Sequence, residues 1–134
     1  MSSSELAYLI IEEETETISS RRINKLETIL NKLNIHCISS QDQEFFLNLF
    51  SEKMNRKPNY IIINKEINIF SDLLQKIKFE YPNAIIILLY SSYSTDSLPI
   101  IKIDYSIKYT LDRDEINFEN IESLIFKIKS DIEF

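Results

Sequence analysis

Along this chain, unbroken apolar runs alternate with stretches whose apolar residues recur every three or four positions. Leu6–Ile11 reads as a first strand, and Ile23, Leu26, Ile29, Leu30 and Leu33 follow at helical spacing. Ile35–Ile38 is a short second strand. Phe45, Phe46, Leu49 and Phe50 suggest a second helix that stops before Pro58, because the residue ahead of a proline is driven out of the helical region. A third strand, Tyr60–Ile63, leads to the helical stripe of Phe70, Leu73, Leu74 and Ile77, closed by Pro82. Ala84–Leu89 is a fourth strand, and Phe118, Ile121, Leu124, Ile125 and Ile128 make a final helix.

The middle strands carry no polar alternation. Tyr60-Ile61-Ile62-Ile63 and Ile85-Ile86-Ile87-Leu88-Leu89 are apolar on both faces, so each needs cover from two sides. That is the condition of a parallel sheet between two helix layers, and the strand–helix alternation supplies the crossovers such a sheet needs. After the fourth strand the rhythm breaks. Ser91–Ser97 is rich in hydroxyls and has no apolar stripe, which predicts a shortened or missing fourth helix. From Ile101 to Tyr109, apolar residues alternate with Lys102, Asp104, Ser106 and Lys108, the period of a strand with one wet face at the edge of the sheet.

The chain has 134 residues, 44% of them hydrophobic, enough for one domain with a buried core. No linker or repeat divides it, so residues 1–134 are expected to form a single domain. The net charge is -6, which opposes nucleic-acid phosphates and turns the expectation toward a protein partner or a small ligand. Glycine is absent, which excludes a Walker-type loop and a glycine-rich dinucleotide turn, since both need backbone to approach phosphate closely. Cys37 is the only cysteine, so no internal disulfide and no cysteine zinc cluster can form. Residues Met1–Ala7 lack a signal-peptide pattern, and no apolar run is long enough to span a bilayer. A cytoplasmic protein without membrane contact is expected.

In an open α/β sheet, ligands bind beyond the carboxyl ends of the strands, near the point where strand order reverses. The first strand here runs into Glu12-Glu13-Glu14, with Glu16 close behind; the third ends at Asn64; the expected fifth carries Lys108 toward its end. In this arrangement the chain resembles the receiver domain of two-component response regulators. Glu12-Glu13 is similar to the acidic pair that follows the first strand there. Pro58-Asn59-Tyr60-Ile61-Ile62-Ile63-Asn64 is similar to the stretch that ends on the phosphoacceptor aspartate, Tyr81-Pro82 to an element before the fourth strand, and Asp104-Tyr105-Ser106-Ile107-Lys108-Tyr109 to the family's Asp-Tyr-x-x-Lys-Pro. The resemblance covers nearly the whole chain and rests on the order and spacing of these motifs. It implies a flavodoxin-like, three-layer sandwich with a five-stranded parallel sheet of order 2-1-3-4-5, and a signalling role.

The departures bear on chemistry. Asn64 offers an amide where the family has a carboxylate; it cannot attack phosphorus as a carboxylate does, and it brings no charge to a divalent metal. Leu89 occupies the switch position, where a hydroxyl would bind a phosphoryl group, with Tyr90 and Ser91 beside it. Tyr109 replaces the proline after the lysine, so the cis bond the family has there is not expected. The first strand-to-helix connection is several residues longer than the family's. The resulting expectation is an atypical receiver, independent of phosphorylation, that regulates through protein contacts, with no catalytic residue and no cofactor.

Each candidate has a plainer account beside it. Glu12, Glu13, Glu14 and Glu16 are weak candidates for Mg²⁺, and otherwise a solvated acidic loop favourable to the positive start of a helix. Lys108 either meets an anion or neutralises the glutamates as a structural ion pair. His36 and Cys37 are neighbours in a strand, so their side chains point to opposite faces and do not form a nucleophilic pair. Ser91, Ser92, Ser94, Thr95 and Ser97 suit a turn as readily as a kinase, and Arg21 and Arg22 suit a solvated helix face. The Ile101–Tyr109 edge, with the last helix, is expected to form a homodimer or partner interface, because an edge strand offers unpaired backbone groups. Two rival functions follow from the same residues: a metal-dependent phosphotransfer or hydrolase site on Glu12 and Glu13, and a small-ligand sensor at the carboxyl rim.

Overall fold

The computed structural model describes residues 5–10, 16–40, 57–64, 70–90, 107–112 and 115–133. Its five strands are β1 (Glu5–Ile10), β2 (Ile35–Ser40), β3 (Tyr60–Asn64), β4 (Ile85–Tyr90) and β5 (Tyr109–Asp112). They form one parallel sheet in the order β2-β1-β3-β4-β5. Three helices are described: α1 (Glu16–Lys32), α2 (Phe70–Glu80) and α3 (Phe118–Glu133). The three-layer α/β fold and strand order are those expected. The predicted second helix around Phe45–Phe50, the Ser91–Ser97 region and the shortened fourth helix lie outside the described residues.

Strand side chains alternate between faces, and here both faces are covered. On one, Ala7, Leu9, Ile62, Leu89 and Leu111 pack under α1 and α3, against Leu26, Leu30, Ile121 and Ile128. On the other, Tyr8, Ile10, Ile61, Ile63 and Leu88 meet Leu73, Leu74 and Ile77 of α2. This explains why β1 and β3 read as continuous apolar runs: each is a central strand with no wet face. Burying one such Ile or Leu side chain contributes about 1.5–3 kcal/mol, so a polar residue on either face would be strongly selected against by folding. β5, at the sheet edge, alternates buried Tyr109 and Leu111 with partly exposed Thr110 and Asp112.

Of the expected edge strand over Ile101–Tyr109, residues 101–106 lie outside the described residues, and its described end is corrected. The described strand begins at Tyr109, where the expected one ended, and Ile107 and Lys108 precede it without strand geometry. The alternation itself continues through Ile107, Tyr109 and Leu111, so the period was right and its placement along the chain was not. Pairing decides the placement: Ile87 sits opposite Tyr109 and Leu89 opposite Leu111.

Local stops follow from residue chemistry. Asn34, at φ 63°, takes the left-handed position that ends α1, with Leu33 N–H donating to Ile29 and Leu30 carbonyls. Asparagine is the usual substitute for glycine there, and this chain has no glycine to use. At the start of α3, Asn117 Oδ1 accepts the Asn120 backbone N–H at 2.9 Å, an N-cap. After α2, the Tyr81 N–H returns to the Ile77 carbonyl and Pro82 cannot continue the helix. No helix among the described residues is long and apolar enough to cross a membrane.

Candidate functional site

The carboxyl rim is the place where the sequence puts its chemistry. β3 ends there on Asn64, whose Cα partner in β4 is Leu89. Leu89 is 2% exposed and belongs to the core under α1 and α3. Its side chain fills space and offers no hydrogen bond to the rim. Tyr90 closes β4 opposite Asp112, which closes β5. Burial, then the charges of Asp112 and Glu115, push the Tyr90 phenol upward. Glu12, Glu13 and Glu14 lie outside the described residues, and Glu16 opens α1. Among the described residues, no group of three or more His, Cys, Asp or Glu side chains stands together as a metal site.

Lys108 does not stand at this rim. It precedes β5, at the opposite, amino-terminal edge of the sheet, and its Nζ lies 3.6 Å from Asp131 Oδ2. The expectation that the fifth strand carries Lys108 toward its end is thereby corrected, and the residue that ends the strand is Asp112. Tyr109, expected just beyond the lysine at the site, instead opens β5 and sends its hydroxyl back to Asp131 Oδ2 at 2.7 Å. Lys108 also lies over the Tyr109 ring, 5.5 Å from its centroid. The ion pair expected of Lys108 is with the glutamates that follow β1, of which Glu12, Glu13 and Glu14 lie outside the described residues; the pair described is with Asp131 of α3.

The amino edge carries most of the described polar organisation. Tyr60 donates its hydroxyl to Glu5 Oε2 at 2.8 Å, and Lys129 holds Glu5 Oε1 at 3.0 Å. Two tyrosine–carboxylate–lysine groups, Tyr60–Glu5–Lys129 and Tyr109–Asp131–Lys108, thus fasten the last two turns of α3 to the sheet. Burial, and then the bond to Glu5, drive the Tyr60 phenol well above its ordinary range. Tyr109 shifts the same way, through burial first and the Asp131 bond second. In return, the Tyr109 hydroxyl holds the Asp131 carboxyl below its ordinary value. Two cavities of about 540 and 290 Å³ open along this edge and share Tyr81, Ala84, Ile85 and Ile132. Sequence reasoning missed this edge because its pairs join residues far apart in the chain, and no local pattern marks them.

His36 and Cys37 behave as strand neighbours. His36 is exposed, while Cys37 is half-buried beside the core under α1. Burial, reinforced by Glu27, pushes the Cys37 thiol up to about 12, so it is a neutral thiol at physiological pH and a poor nucleophile.

No protein-family model matches the chain, and no curated protein does. Solved structures do. The crystal structure of an adenylate cyclase from Rhodopirellula baltica superposes with a TM-score of 0.68 at 13% identity, over 97% of this chain and 96% of that one. The signal receiver domain of an HD domain-containing protein from Pseudomonas fluorescens Pf-5 superposes with a TM-score of 0.67 at 18% identity, over 99% of this chain and 90% of that one. At these identities the likeness is one of fold: the chain has a receiver-like fold.

Proposed function

We propose that this chain is a signalling module of the receiver type that works through protein contacts, without phosphorylation of an aspartate and without enzymatic activity of its own. The observation that carries the reading is how the strands end at the carboxyl rim. β3 ends on Asn64, opposite the buried Leu89, and β5 ends on Asp112. A receiver-like phosphorylation site needs a carboxylate nucleophile, a hydroxyl for the phosphoryl oxygens and a lysine to balance the new charge. Here an amide-bearing residue ends β3, its partner in β4 is the aliphatic Leu89 one position before the strand closes on Tyr90, and a carboxylate-bearing residue ends β5. Like charge beside a phosphoryl group raises its cost rather than lowering it.

The likeness to a signal receiver domain supports a signalling role for the fold, and the edge strand β5 with α3 beside it is the surface through which contacts are made. Incubation with acetyl phosphate or beryllofluoride, read by intact mass and by the amide NMR spectrum, tests the reading beside a phosphorylatable receiver. No mass increase and no shift at the rim is the expected result. A phosphorylated or fluoride-shifted residue at the carboxyl rim would overturn it.

A further inference from the structure

We infer that the outer face of α3 is self-complementary and that a second copy of this chain docks on it, helix against antiparallel helix, with Phe126 at the two-fold axis. The inference rests on the reading that the chain acts through protein contacts, and it names the partner.

Phe126 is 72% exposed, in the middle of a helix whose neighbours Ile121, Ile125 and Ile128 are buried. It points away from the sheet. Phe118, 39% exposed, stands two turns earlier on the flank of the same face. A single exposed apolar ring needs no explanation by itself; it points to a contact only where the charges around it complement those of a partner. Here they do. Glu119 and Glu122 precede Phe126, Lys127 and Lys129 follow it, and all four residues are exposed. Asp131, further along, is turned to Tyr109 and Lys108, and the helix closes on a second acidic position, Glu133, seven residues after Phe126. In α2, by contrast, the exposed Phe79 has Lys78 and Glu80 on either side, with no such segregation.

Segregation along the axis selects the geometry. Two parallel copies in register would bring the glutamates to one level and the lysines to another. An antiparallel pair related by a two-fold axis near Phe126 sets residue i against residue j whenever their distances from the axis are equal and opposite and they share a flank. Glu122 lies about 6 Å before Phe126 along the helix and Lys129 about 4.5 Å after it, from the rise of 1.5 Å per residue. At 3.6 residues per turn both fall on the same flank of Phe126. Glu122 of one copy therefore faces Lys129 of the other, and the reverse.

The other flank carries Ser123 and Ser130, which match in the same way. Their side chains are small, so they let the two backbones approach without setting charge against charge. The two-fold would set position 119 against position 133, both glutamates; at the commonest helix crossing angle, about 50°, the two helices diverge before these positions are reached, which leaves both outside the contact. Lys129 already holds Glu5 at 3.0 Å, and its side chain remains 52% exposed, so it can bridge Glu5 and the incoming Glu122.

The test is sedimentation equilibrium of the whole chain. A small, single-anchor interface is expected to give a weak dimer, populated at about 1 mM and dissociating toward about 10 µM. Phe126→Glu should be monomeric throughout, with its thermal midpoint unchanged because the site is exposed. Glu122→Lys and Lys129→Glu should each weaken self-association at least about tenfold, and an equimolar mixture of the two should recover a heterodimer, since opposite charges then meet at both symmetry-related contacts. A wild-type monomer at about 1 mM, a dimer indifferent to Phe126→Glu, or a mixture that fails to re-associate would each overturn the proposal. The two readings fail separately. A phosphoryl adduct at the rim sinks the proposed function and leaves this pairing untouched, whereas a phosphorylation-inert monomer sinks only the pairing.

Discussion

Leu6 and Asn59 are bonded to each other twice. The Leu6 N–H donates to Asn59 Oδ1 at 2.9 Å, and the Asn59 N–H donates to the Leu6 carbonyl at 2.8 Å. The Asn59 carbonyl then accepts the Ile85 N–H at 2.9 Å, so one residue ties together the starts of β1, β3 and β4. Leu6 is 3% exposed, and its N–H has little access to water. Asn59→Ala keeps the backbone bonds but orphans that donor, which costs about 1–3 kcal/mol. Urea unfolding should show a lower midpoint with an unchanged slope. An unaltered midpoint would mean that water replaces the side chain there.

The bond from Tyr60 to Glu5 makes the fold sensitive to alkali. The phenol is raised above its ordinary value of 10.0, so the unfolded chain loses that proton first. A raised pKa contributes stability that is complete below the unfolded value and is lost as pH climbs through the folded one. Stability should therefore decline above about pH 10. Tyr60→Phe should remove much of that decline while costing about 1 kcal/mol at neutral pH for the lost hydrogen bond. Chemical denaturation of both proteins across the alkaline range measures it; parallel pH curves would refute the link.

Asp131 works in the opposite direction. Its carboxyl is lowered from 3.8, first by the Tyr109 hydroxyl, against some desolvation, with Lys108 assisting. A lowered pKa contributes stability above the unfolded value that disappears as pH falls through the folded one. In Tyr109→Phe the Asp131 carboxyl should titrate closer to 3.8, and the acid-side loss of stability should shrink. Carbon-detected NMR titration of the aspartate carboxyls reads this directly. No movement of the Asp131 resonance would show that Lys108 and Lys127, and not the Tyr109 hydroxyl, set its value.

Restoring the nucleophile should not restore a switch. In Asn64→Asp the position paired with it in β4 is still the apolar Leu89, and β5 still ends on Asp112. Acetyl phosphate is expected to label this variant at less than about a tenth of the level seen for a working receiver, because among the described residues β5 closes the rim with a carboxylate, Asp112, and not with a lysine. Full labelling, with amide shifts spreading from the rim, would show that Leu89 and Asp112 at their strand positions do not limit the chemistry.

The sequence by itself determined the layers. Residues such as Ile61–Ile63 and Leu6–Ile10 are apolar without alternation, and only a strand covered on both sides can bury them, so the parallel sheet between helices was legible before any coordinates. The identity of Asn64 and the absence of glycine were equally open to reading, since both are facts of composition. The ends of the elements were not. Alternation from Ile101 to Leu111 has the same period wherever the strand begins; only pairing with β4, Ile87 against Tyr109, chose Tyr109–Asp112 and sent Lys108 to the amino edge. The bonds of Tyr60 to Glu5 and Tyr109 to Asp131 join residues 55 and 22 positions apart. A hydrogen bond depends on where two side chains meet in space, and that meeting is decided by how the sheet and its last helix pack, which no local run of residues records.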